Sequence, residues 1–207
     1  MKNLIFYDVD TQKDFMAKSG ALYIPHSEDI IKNLERLTAY AFYSGIQVFG
    51  SVDRHFPNDH ELKTFPPHCM DGTDGAGKVV QTTIPDSAFI ENRPQSDREL
   101  KLKMSSPAVY FEKQETDVFS NAYAGRLSGF SAAVVYGVAT DYCVKDVVLG
   151  MRSRGIDVLV VEDAIKGVSE ESSRKAIDDM KYAGAIFVST SEIVDGKFER
   201  MLKEKWR

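Results

Sequence analysis

Cysteine is scarce, with only Cys69 and Cys143 in 207 residues. Two thiols give no disulfide framework, so the chain is read as a protein of a reducing, cytoplasmic setting. Long apolar runs are missing too. No stretch approaches the roughly 18 residues of a membrane span. The short apolar patch in MKNLIFYDVD meets charge at once, unlike a signal peptide. There is no basic excess: the net charge is −5, which speaks against non-specific nucleic-acid binding. Repeats, low-complexity tracts and linkers are absent as well. Residues 1–207 therefore read as one domain.

What remains is an ordinary globular composition. It is 43% hydrophobic and 28% charged, enough for a sizeable core within one α/β sheet. Apolar runs predict strands at 3–9, 46–51, 108–111, 131–137, 156–161 and 185–188. Helical patterns predict helices at about 28–44, with Ser27 as cap and Gly45 as stop, and at 118–127 before Gly129. Further helices follow Cys143 up to Gly155, run over 170–183 between Ser169 and Gly184, and cover about 197–205. Ile31, Leu34, Leu37 and Ala41 mark the inner face of the first. Strands alternating with helices predict a parallel sheet covered on both faces.

The segment GVATDYCVK places Cys143 just past the apolar strand Ala132–Tyr136. Val144, Val147, Val148 and Met151 follow at helical spacing, and Thr140 and Asp141 are candidate caps. A thiol in a first helical turn feels the positive end of the dipole, which favours thiolate. A small buried hydrophobe is the other reading, and the local pattern does not decide between them. Two further strand ends matter. Leu4–Tyr7 leads into Asp8, Asp10 and Gln12, and Val109–Phe111 leads into Lys113. In a parallel sheet Asp10, Lys113 and Cys143 meet at one edge, where open α/β sheets bind ligands.

Asp53 and His55 stand two apart after another strand, so on extended chain they face one side. His68 follows in Phe65-Pro66-Pro67-His68. One aspartate and two histidines suit zinc, iron or manganese, although an Asp-x-His on a loop is more often solvated surface. Cys69, beside His68, could be a ligand, but it reads better as a structural or incidental cysteine, since neighbours on extended chain point apart. Residues 72–79 nearly spell a phosphate loop, but Val79 replaces the needed hydroxyl and no strand precedes Gly72. They read as a flexible loop.

The motif D-x-Q-x-D-F from Asp10 to Phe15, the strand-end Lys113 and G-V-A-T-D-Y-C-V together resemble the isochorismatase-like cysteine hydrolases, nicotinamidase branch. The resemblance runs from Leu4 to about Val188. It implies a three-layer αβα fold whose six parallel strands lie in the order 3-2-1-4-5-6. It implies amide hydrolysis through a Cys143 thioester, with Asp10 as general acid–base and Lys113 holding both. The N–H groups of Ala139 and Cys143 would form the oxyanion hole, with a cis Val138–Ala139 peptide. Asp53, His55 and His68 would hold one divalent ion, zinc before iron or manganese, that grips a pyridine nitrogen. Glu61 stands where some relatives carry a further carboxylate, with His60 its competitor. Phe15 and Phe65 are candidate ring walls beside Val138 and Ala139, and Asp8 lies outside the motif as a supporting group. Many relatives carry an aromatic three residues after the lysine. Here it is Thr116, which leaves a roomier pocket or one filled by Phe119.

The expected reaction is nicotinamide to nicotinate and ammonia, in NAD salvage. The expected partners are a small amide and further copies of the chain, without nucleic acid or membrane. One rival is a related amidohydrolase acting on another small amide, a carbamoyl or a ureido compound. The other is a non-catalytic binding protein of the same fold, against which the intact Asp10, Lys113 and Cys143 stand.

Overall fold

The computed structural model describes residues 3–198, 200 and 202. Its strands are β1 (Leu4–Val9), β2 (Val48–Asp53), β3 (Ala88–Ile90), β4 (Ala108–Lys113), β5 (Ala132–Val138), β6 (Asp157–Lys166) and β7 (Ile186–Val188). They form one seven-stranded sheet in the order β3-β4-β2-β1-β5-β6-β7. Every pairing is parallel. The expected six strands thus become seven. The added strand is the short β3 on the edge beyond β4, and the other six keep the relative order expected of them.

The helices are α1 (Lys13–Met16), α2 (Ile31–Tyr43), α3 (Asp97–Lys103), α4 (Lys145–Ser153), α5 (Glu170–Tyr182) and α6 (Thr190–Val194). Strand side chains alternate between two cores. Phe6, Tyr110, Val134 and Tyr136 meet Leu34, Leu37 and Ala41 of α2 and Ile193 of α6. Tyr7, Phe49, Phe111 and Val135 meet Val147, Val148 and Met151 of α4 and Met180 of α5. A sheet buried on both faces needs near-continuous apolar strands, as this chain has. The result is three layers, α/β/α.

Several local expectations change. Residues 118–127 are two 3₁₀ segments, Val118–Ser120 and Ala124–Gly129, not one helix. Ser27 lies inside a 3₁₀ turn and its hydroxyl donates to Phe15 O at 3.0 Å, so it does not cap α2. Ile31 is only partly buried. Ser169 does cap α5, accepting from Ser172 N. The expected helix 197–205 lies largely outside the described residues. No helix among those described is long and apolar enough to cross a membrane.

Candidate active site

Three strand ends build the site. β1 stops at Val9, and Asp10 turns off it with φ +48°. Lys113 is the last residue of β4 and Asp53 the last of β2, set side by side in register. β5 passes the end of β1 at Gly137, whose φ is +120° and where an added Cβ would lie 2.1 Å from Val9 O. Only glycine fits there. One bond further on, the Val138–Ala139 peptide is cis.

Cys143 does not sit in a regular first turn. Thr140–Val144 is a kinked π-type turn, broken at Tyr142, and regular α4 begins at Lys145. Thr140 and Asp141 do not cap it. The Asp141 carboxylate instead accepts from Val168 N at 3.0 Å and from the Ser172 hydroxyl.

Lys113, fully buried, joins the groups. Its Nζ lies 3.0 Å from Asp10 Oδ2 and 3.3 Å from Cys143 Sγ, and it donates to Asp53 Oδ1. Burial pushes the Cys143 thiol well above its ordinary range; Lys113 pulls it back, and the Asp10 and Asp53 charges push it up. Regular α4 begins only at Lys145, so the first-turn position behind the dipole argument is not found, and desolvation favours the neutral thiol. Burial also raises the Asp10 carboxyl, against the pull of Lys113. A thiol beside a carboxylate of raised basicity is an arrangement for proton transfer.

The second cluster adjoins the first through Asp53. Asp53, His55 and His68 are buried, with potential ligand atoms all within 4.8 Å of one another. Asp53 Oδ2 is 3.5 Å from His68 Nε2 and 3.9 Å from His55 Nε2. His68 Nδ1 donates to Pro66 O at 2.8 Å, and His55 Nδ1 lies 3.2 Å from Asp59 Oδ2. These outer contacts aim both Nε2 atoms inward, as the outer partners of metal-bound imidazoles do. Glu61 Oε2 lies 3.8 Å from His55 Nε2. Both atoms are buried without a hydrogen-bond partner, while His60 is exposed. Burial would raise the Asp53 carboxyl, but Lys113 and the two imidazoles hold it below the usual carboxylate range. Burial raises Glu61, and nearby Asp53 raises it further. Orphaned, inward-facing donors in a negative surround fit a divalent cation. Asp59 carries no sequence signal except its place four residues after His55.

A cavity of about 250 Å³ opens beside both clusters, touching Asp10, Asp53, Glu61, His68 and Cys143. Phe15, Phe65, Val138 and Ala139 line it, joined by Leu22, Ile24, Tyr142 and Val168. The Phe15 and Phe65 rings lie 5.4 and 6.3 Å from that of His68. Phe65 meets Tyr142 edge-on at 5.7 Å. Thr116 is on the wall and donates to Asp146 Oδ2 at 2.6 Å. Phe119 is not there; its ring carries Arg154, with the guanidinium carbon 3.6 Å from the centroid. Asp8 is also elsewhere, accepting from Thr11 Oγ1 at 2.9 Å and Lys78 Nζ at 2.8 Å. Lys78 thereby ties down the loop expected to be flexible. Cys69 is buried and unpaired in a disulfide, and its N–H donates to Asp14 Oδ2 at 2.7 Å.

The isochorismatase domain model matches residues 4–192. The chain belongs to the isochorismatase family. Within the family it falls on the nicotinamidase side, among amide hydrolases. It is 28% identical to the nicotinamidase of Escherichia coli over 207 aligned residues, covering 89% of this chain and 93% of that protein. It is 26% identical to the nicotinamidase/pyrazinamidase of Mycobacterium tuberculosis, over 88% of this chain and 97% of that one. A pyrazinamidase of Pyrococcus horikoshii, solved in complex with zinc, superposes with TM-score 0.74 at 26% identity. That match covers 90% of this chain and 99% of the other.

Proposed function

We propose that this family member hydrolyses nicotinamide to nicotinate and ammonia, in NAD salvage, through a thioester on Cys143. The observation that carries the reading is the convergence of Cys143, Asp10 and Lys113 on one cavity beside Asp53, His55 and His68. The named relatives support it.

Asp10 takes the Cys143 proton as the sulfur attacks the carboxamide carbon. The C–N bond then breaks, and Asp10 returns that proton to the departing ammonia. Water attacks the thioester with Asp10 again as base, and the proton goes back to the sulfur as nicotinate leaves. Such general acid–base transfer contributes typically about 10²–10⁴-fold. Lys113 keeps its charge between Asp10 and Cys143 and offsets the developing thiolate. The N–H groups of Ala139 and Cys143 serve the oxyanion, where each preorganised donor is worth roughly 10²–10³ in rate. Phe15, Phe65 and Tyr142 pack the ring, and the largely apolar lining disfavours water around it. Asp53, His55 and His68, with Glu61, hold the divalent ion, zinc in the first instance. Bound there, the ion supplies a Lewis-acidic anchor for a ring nitrogen, orienting the substrate.

Thr116 favours a second reading, in which another small amide or ureido compound fits the wall where many relatives carry an aromatic. Ammonia release from nicotinamide, pyrazinamide, benzamide and a ureido acid separates the two. Nicotinamide and pyrazinamide are expected to turn over, and benzamide at least about tenfold less in kcat/KM, or 1.4 kcal/mol. Chelation is expected to shrink that gap. Equal rates for benzamide and nicotinamide refute the ring anchor, and cleavage of the ureido compound alone selects the second reading.

A further inference from the structure

Gln12 lies within the D-x-Q-x-D-F motif but does not itself line the cavity. It is fully buried. Its side-chain amide reads the backbone of Asp53 twice: Oε1 accepts from Asp53 N at 2.6 Å, and Nε2 donates to Asp53 O at 2.7 Å. The remaining Nε2 hydrogen goes to Ala76 O at 2.8 Å. Two carbonyls and one N–H around it fix the amide's orientation, since only an NH₂ group can face both carbonyls.

The location explains the need. β1 pairs with β2 as far as Val9 opposite Ser51, and Asp10 N still donates to Ser51 O at 3.1 Å. There the chain swings away, so Asp53 would face the β1 side of the sheet with its N–H and C=O unpaired. On its other side Asp53 is in register with Lys113 of β4. Buried backbone groups must find partners, and the Gln12 amide supplies them in place of the missing strand. It holds Asp53, whose carboxylate touches both Lys113 and the histidine cluster.

We infer that Gln12 is a positioning residue for the metal site: its amide prolongs the β1 edge of the sheet and fixes the Asp53 carboxylate against His55 and His68. The inference rests on the metal reading above. Its neighbour in the motif acts in the same direction, since Asp14 holds the His68 segment through the Cys69 N–H.

The test is zinc affinity, measured by competition with a chromophoric chelator, on wild type, Gln12→Met and Gln12→Asn. Met keeps the volume and removes all three hydrogen bonds; Asn keeps the amide but is one methylene too short. Met180→Ala, in the core on α5, is the control for general destabilisation. Gln12→Met is expected to bind zinc about 10–100-fold more weakly, the usual cost of losing an outer partner of a metal ligand. Met180→Ala is expected to bind as wild type does. Activity of the glutamine variant should recover toward the wild-type kcat at saturating zinc, which a merely misfolded protein would not do. If Gln12→Met does not fold, Gln12→Asn carries the same expectation. Wild-type zinc affinity in the folded variant, or an equal loss in the control, overturns the role of Gln12 alone. A wild-type protein that does not bind zinc overturns the metal reading as well.

Discussion

The proposed chemistry turns on three buried side chains in contact, Asp10, Lys113 and Cys143. Burial favours neutral Cys143 and raises Asp10, while Lys113 between them keeps a positive charge. Only ionised Asp10 can accept the thiol proton, so activity is present above its pKa and lost as pH falls through it. Because burial raises that pKa, kcat/KM for nicotinamide is expected to fall on the acid side at a pH above the ~3.9 of an open aspartate. A pH–rate profile checks this, and a rate that climbs as the solution is acidified contradicts it. These three residues are legible in the sequence because each follows an apolar run. Asp53, His55 and His68 are legible as a spacing, and the resemblance gives the spacing meaning. Gln12, Asp59 and Tyr142 are not legible as site residues. The roles of Gln12 and Tyr142 come from contacts across 41 positions, from Gln12 to Asp53, and from a kinked turn, which no local pattern encodes; Asp59 is close to His55 in sequence but belongs to no motif. Phe119 and Asp8 are misplaced for the converse reason: aromatic character and nearness in sequence say nothing about where the backbone turns.

Elements are legible where burial is regular. α2 and α5 repeat their apolar residues at helical spacing and end at glycines, so their existence follows from the pattern. β2 runs to Asp53, two residues past the expected end, because pairing with β4 continues to Asp53 opposite Lys113. β3, with three residues, and α3, with one buried side chain, are too short to show a period. The reading of 118–127 as one helix fails because Asp117 caps a single 3₁₀ turn there and Asn121 anchors the next segment to β-strand carbonyls. Where the pattern is strong, the energetic consequence is direct. Leu37 is fully buried between α2 and the sheet. Leu37→Ala is expected to cost about 2–5 kcal/mol, as core truncations do, read from urea unfolding followed by circular dichroism. A loss well under 1 kcal/mol would place that face of α2 outside the packed core.

At the scale of the whole molecule, one parallel sheet sets everything in place. Parallel strands all end on the same edge, so Asp10, Asp53 and Lys113 arrive together, and the β5–α4 connection adds Cys143 beside them. Ligand sites of open α/β sheets lie at that edge for this reason. The relative order of six strands and helices on both faces are within reach of the alternating pattern and the resemblance, while the short edge strand and α3 are not. The same edge carries two clusters that share Asp53, one suited to proton transfer and one to a cation. The central claim is that the first of them does the bond-breaking through sulfur. It is tested most directly by ammonia and nicotinate release from nicotinamide by zinc-loaded wild type and Cys143→Ala, both shown to be folded by the same thermal unfolding profile. The account predicts equal amounts of the two products from wild type and a rate at least about 10³-fold lower from Cys143→Ala, the scale seen when a covalent nucleophile is removed. Release at the wild-type rate from Cys143→Ala would contradict it.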